Sequence, residues 1–199
     1  MLLGLSGGVA IYQWPDLSIT FTAAANDDDD GDPDAYTPGN AGRDTLADAQ
    51  DGQGNWCGIA VNPNGTPYVQ GPEDPQPGAY VSTTSYEWPQ FPIWDPRRYL
   101  DAQKVPYIVV PGSLRRRCKG ILLGAAATVQ NLSNGLSVVA LVGDMGPRVG
   151  ELSSAANIAL GVDPDPRSGG DQRLKFYYTL RPGTPAVVNG ITYPLIRCP

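Results

Sequence analysis

The hydrophobic positions along the chain come in short bursts rather than long amphipathic runs. Val9–Thr22 (VAIYQWPDLSITFT) mixes aromatic and β-branched residues around Pro15 and predicts one or two strands. Trp56–Val61 predicts another, the turn signal Asn62-Pro63-Asn64-Gly65 follows, and Pro67–Gln70 is placed to pair back as a hairpin. Ala79–Tyr86 alternates in character, as a half-buried strand does. Val105–Val110 reads as a core strand, and Ala125–Gln130 with Ser137–Val142 as a hairpin across Asn131–Gly135. Glu151–Leu160 has helix-compatible spacing, with Gly161 as its C-terminal stop. Phe176–Leu180 and Val187–Ile196 complete the strands. Short strands, many turns and one modest helix predict an antiparallel or mixed β-barrel.

Between these bursts lie two polar excursions. Residues 26–55 are rich in Asp and Gly, with a helical turn expected near Thr45–Ala49, and residues 71–104 are rich in Pro and aromatics. Gly (24) and Pro (20) make up about a fifth of the 199 residues, which fits a turn-rich β protein. The length suits one domain, residues 1–199, and no interdomain linker or internal repeat is evident. No apolar stretch approaches the roughly 20 residues needed to span a bilayer, so no membrane partner is expected.

Charge and missing residue types narrow the chemistry. The formal net charge of −6 makes nucleic acid an unsuitable partner, since phosphate binding needs a basic stripe. The basic cluster Arg115–Arg117 with Lys119 reads as a solvated loop. An acidic chain instead suits a cationic substrate. The absence of histidine removes Ser-His-Asp and Cys-His catalysis and the usual His-containing zinc sites. The three cysteines, Cys57, Cys118 and Cys198, allow one disulfide without indicating which. The apolar start Met1–Ala10 lacks a basic leader region, so secretion is inferred from function alone.

The segment most suggestive of chemistry is Ser137–Leu160. An apolar strand delivers Asp144, the Gly146-Pro147 turn follows, and Glu151 opens the expected helix. Two carboxyls on a tight turn suit glycoside hydrolysis, which needs one protonated and one ionised carboxyl. Desolvation at the strand end favours a neutral Asp144, and a helix N-terminus favours a charged Glu151. That assignment makes Asp144 the acid and Glu151 the base, although Arg148 between them is able to reverse it. Turn and helix-start positions account for the same two residues without any chemistry.

Gly143–Val162 (GDMGPRVGELSSAANIALGV) resembles the GD-x-GP…GE motif of the glycoside hydrolase family 75 chitosanases. DDDDGDPDAY, YVSTTSY and RYLDAQKVPYIVVPG resemble further blocks of that family in the same order, and together they cover most of residues 20–165. The resemblance implies a six-stranded double-psi β-barrel with one or two short helices. It also implies endo-cleavage of chitosan with inversion, by Asp144 and Glu151, with no cofactor and no metal. The Asp144–Glu151 loop is shorter than in fungal members, and residues 50–78 look more like bacterial relatives.

Substrate contacts are expected from Asp28, Asp30 and Tyr36 in the acidic block. The alternating run Ser82–Ser85 is expected to turn Thr83 and Ser85 into the groove. Trp88 and Trp94 are expected to stack on sugar rings. Asn26–Gly31 also resembles the opening of a calcium loop, but Thr37 stands where a bidentate acid belongs. The expected protein is a secreted, monomeric enzyme acting on an amino-sugar polymer. The alternatives are a peptidoglycan-cleaving transglycosylase or hydrolase on a similar barrel, and a non-catalytic carbohydrate-binding module.

Overall fold

The structure is a computed structural model that describes residues 1–117 and 120–197, and of Arg115 and Arg117 the backbone. The strands are β1 (Leu2–Ser6), β2 (Val9–Gln13), β3 (Ile19–Asp28), β4 (Tyr107–Val109), β5 (Ala125–Asn131), β6 (Ser137–Asp144), β7 (Glu151–Ser153), β8 (Asp171–Val188) and β9 (Ile191–Tyr193). The helices α1 (Gly112–Arg117) and α2 (Ser154–Ala159) are short.

Six strands close a barrel in the order β3-β7-β4-β6-β5-β8, and β8 pairs back onto β3. The β1–β2 hairpin extends one side, through β2, and β9 extends β8. The barrel pairing is unchanged when β3, β4 and β5 are exchanged for β6, β7 and β8. The parallel pair β3–β7 then maps onto β6–β4, and the antiparallel pair β3–β8 onto β6–β5. This two-fold, interlocked connectivity is that of a double-psi barrel. It makes Asp28 and Asp144 counterparts, each the last residue of its strand.

Alternation explains the interior. In β5, Ala125, Ala127 and Val129 point inwards while Thr128 and Gln130 face solvent. Ile19, Phe21 and Ala23 of β3 meet Phe176, Tyr178 and Leu180 of β8, and the Phe21 and Tyr178 rings stack at 4.7 Å. The second half of β6 (Ala140–Asp144) is buried on both faces, so its sequence runs apolar without alternating.

Several local expectations give way to tertiary context. Glu151 lies in strand β7, not in a helix; the helix starts one turn later, capped by Ser153 Oγ accepting from Ala156 N–H. Gly161 has φ 70° and terminates that helix as anticipated. Asn26–Asp28 continue strand β3, because β7 and β8 supply pairing partners, and they form no calcium-type loop. Among the described residues, 56–61, 67–70 and 79–86 make isolated bridges rather than ladders, Trp56 to Gln50, Val61 to Pro67, Ile59 to Ser82 and Val69 to Tyr80. They wrap a satellite core in which Ala60, Val81 and Tyr99 pack together, outside the barrel. Arg115–Arg117 belong to helix α1 rather than to a loop, and Lys119 is outside the described residues. Cys57 carries a free thiol, whereas Cys118 and Cys198 fall outside the described residues.

Candidate active site

The ends of β3 and β6 and the start of β7 open on one groove of about 1180 Å³. Asp28, Asp30, Tyr36, Thr83, Ser85, Asp144 and Glu151 all line it. Trp88 and Trp94 do not. Trp88 packs on Tyr86 and Tyr193 at the barrel end, and Trp94 is an exposed side chain 6.0 Å from Tyr68. Density of aromatics in sequence did not indicate a platform here, because apolar loops also need anchors.

The glycines of the motif have identifiable jobs. A Cβ at Gly143 would lie 2.5 Å from Tyr107 Cβ, so the strand end packs directly on β4. A Cβ at Gly146 would sit 2.7 Å from Val109 Cγ1 and 2.8 Å from Glu151 Oε2. Gly146 therefore lets the turn lie against the Glu151 carboxyl. Gly150 has φ 94°, a left-handed conformation that glycine adopts without strain.

Asp144 is almost fully buried, and its Oδ1 accepts three hydrogen bonds. These come from the Ser85 N–H at 2.8 Å, the Ser85 hydroxyl at 2.5 Å and the Met145 N–H at 2.7 Å. Oδ2 has no hydrogen bond among the described residues and is not an enclosed orphan, so it faces the groove. Burial pushes the carboxyl above its usual range, while the three donors pull it down. Glu151 is also raised by burial, and Arg148 opposes this through an Nε–Oε1 contact of 2.8 Å. The two carboxyls thus differ in their partners: fixed neutral donors for Asp144, a guanidinium for Glu151.

Asp28 and Asp30 extend the same cluster. One oxygen from each of Asp28, Asp30 and Asp144 lies within 4.8 Å of the others. Burial raises Asp28 and Asp30 well above the carboxylate range, and their acidic neighbours raise them further. Such an oxygen set is of the kind that hard divalent cations use, and without a cation it retains protons. Tyr36 donates to Asp30 Oδ1 at 2.7 Å, so its role is to hold Asp30. Ser85 likewise grips Asp144. Thr83 lies on the groove wall, its hydroxyl 3.4 Å from the Cys57 carbonyl.

Sequence reasoning missed a second acidic network behind this one. Asp27 lines the groove, and its Oδ1 accepts from Asn157 Nδ2 at 2.6 Å. The single hydrogen of the Ser154 hydroxyl is shared between Asp27 Oδ2 at 2.8 Å and Asp29 Oδ1. Burial raises Asp27 to about 8, so at neutral pH it carries the proton that this geometry requires. Arg43 pairs with Asp29 at 2.8 Å and with Asp32 at 3.1 Å. Arg167 donates to the carbonyls of Asn40, Gly42, Arg43 and Asp44. These two arginines clamp the polar excursion against the barrel and shape one groove wall. The run Asp27–Asp30 signals acidity in the sequence, but only folding separates the Asp27 side from the Asp28 side.

No protein-family model matches the chain, and no curated protein matches it significantly in sequence.

Proposed function

We propose that the chain is an endo-acting, inverting glycoside hydrolase of β-1,4-linked glucosamine polymers. The observation that carries this reading is the convergence of Asp144 and Glu151 on one groove with chemically different partners, fixed neutral donors for Asp144 and the Arg148 guanidinium for Glu151. Burial raises both carboxyls; the Ser85 and Met145 donors oppose it at Asp144, and the full positive charge of Arg148 opposes it at Glu151, so the base role falls to Glu151 and the acid role to Asp144. Nine of the groove-lining residues are Asp or Glu and two are Arg; even with protons retained on Asp27, Asp28, Asp30 and Asp144, the other five carboxyls exceed the two guanidiniums, an excess that favours a cationic polymer over a neutral or anionic one. The motif resemblance of Gly143–Val162 agrees with this chemistry.

In the reaction, a water gives its proton to Glu151 as its oxygen bonds to the anomeric carbon. The bond from that carbon to the leaving oxygen breaks, and the leaving oxygen takes the proton from Asp144 Oδ2. The sugar C1 inverts, and both carboxyls return to their starting states by exchange with solvent.

The test measures reducing ends released from chitosan by Asp144→Asn and Glu151→Gln, with circular dichroism to verify the fold. Loss in both supports the reading, and full activity in either overturns it. Product analysis separates the rivals: a transglycosylase leaves anhydro ends, and a binding module binds chitosan without turnover.

A further inference from the structure

An inverting enzyme needs more than a base. Its water must be held on the line of attack, and one carboxylate oxygen fixes only one contact to it. The parallel register of β3 and β7 sets Asn26 directly opposite Glu151. Paired residues on neighbouring strands project to the same side of the sheet, and the strands run about 4.8 Å apart. Asn26 is the first polar side chain after a run of three alanines, and it is only 8% exposed.

Its backbone is pinned: the N–H donates to the Gly150 carbonyl at 2.8 Å, and its carbonyl accepts from Asn157 Nδ2 at 3.3 Å. Its side chain is oriented as well, since Oδ1 accepts from Gln172 Nε2. The Nδ2 group has no hydrogen-bond partner among the described residues, yet it is not walled in by protein. Buried amide donors are normally satisfied, so this one takes its partner from the groove, which Asn26 and Gln172 both line. Across from it, Arg148 occupies Glu151 Oε1, and Oε2 has no hydrogen bond among the described residues.

We infer that Asn26 Nδ2 and Glu151 Oε2 together hold the attacking water, with Gln172 as the positioning residue that fixes the Asn26 amide. Asn26 donates to the water oxygen, the water donates one hydrogen to Glu151, and the remaining lone pair faces the anomeric carbon. This inference rests on the hydrolase reading above and adds a residue to it.

The experiment compares kcat and KM on a defined chitosan oligomer for Asn26→Ala, Gln172→Ala and Asn26→Asp, with melting temperatures recorded alongside. Asn26→Ala lowers kcat by about 10²-fold with KM nearly unchanged, because the water is not part of the substrate complex measured by KM. Gln172→Ala, an exposed rim change that leaves the core untouched, lowers kcat by a smaller factor. Asn26→Asp sets a carboxylate opposite Glu151 and moves the acid limb of the pH profile upwards, which tests the proximity of the two side chains, while the kcat-against-KM split of Asn26→Ala tests the water-holding role. Wild-type kcat in both alanine variants, a loss confined to KM, or an unmoved acid limb in Asn26→Asp overturns the assignment. Activity surviving in Glu151→Gln instead overturns the hydrolase reading. An inactive Glu151→Gln beside fully active Asn26 variants removes the water-holding role alone.

Discussion

Replacing Ser85 by Ala removes one of the three hydrogen bonds that hold Asp144 Oδ1. The 2.5 Å hydroxyl contact goes, and the Ser85 and Met145 N–H donors stay, because they belong to the backbone. A hydrogen bond to a charged group contributes about 1.5–3 kcal/mol. The part of that contribution specific to the ionised form is lost, so the Asp144 carboxyl rises further. The sign is fixed by the chemistry: the donors favour the ionised form, so deleting one favours the protonated form, in the same direction as burial. Carbon-13 titration of the Asp144 carboxyl follows the change directly. If Asp144 is the acid, the alkaline limb of chitosan hydrolysis moves up by the same amount, since that limb reports loss of its proton. An Asp144 carboxyl that titrates unchanged or lower in Ser85→Ala refutes the claim that the hydroxyl holds the ionised form.

Three further outcomes follow from the same geometry. Asp27→Asn reproduces the protonated carboxyl, accepting from Asn157 and donating to Ser154. Because Asp27 is raised to about 8, the wild-type chain loses stability as pH rises from about 4 to 8; the variant's gain in melting temperature over wild type should grow across that window, and a constant gain would count against the buried proton. Chelation by EDTA leaves activity intact if Asp28, Asp30 and Asp144 share protons; loss of activity restored by calcium or magnesium would replace the acid–base reading with a metal-assisted one. Gly146→Ala forces a methyl within 2.8 Å of Glu151 Oε2 and 2.7 Å of Val109, so kcat falls by about 10²-fold with the barrel still folded; wild-type kcat would show that Glu151 tolerates displacement.

The sequence by itself determined those features that depend on neighbours along the chain. Alternation in Ala125–Asn131 and apolar runs such as Ala140–Val142 are local consequences of which side chains leave water, and they placed the barrel hairpin correctly. The Gly-Asp…Gly-Pro…Gly-Glu spacing singled out two carboxyls that both line the groove, and Gly161 marked the helix end. Where the chain is held by loops, local pattern had no such force: Ala79–Tyr86 alternates like a strand but makes isolated bridges rather than a ladder among the described residues.

Tertiary structure decided the rest, because the decisive contacts join residues that the chain keeps far apart. Glu151 became a strand residue only because β3 and β4 lie on either side of it, and that pairing replaced the helix dipole with Arg148 as the influence on its charge. Ser85 reaches Asp144 across 59 positions, and the proton shared by Asp27, Ser154 and Asp29 spans more than twice that. Trp88 was drawn to the barrel end by packing on Tyr86 and Tyr193, which no local window encodes, and Trp94 stands exposed outside the groove. Burial raises Asp27, Asp28, Asp30, Asp144 and Glu151, and burial is a property of the folded chain rather than of any segment within it.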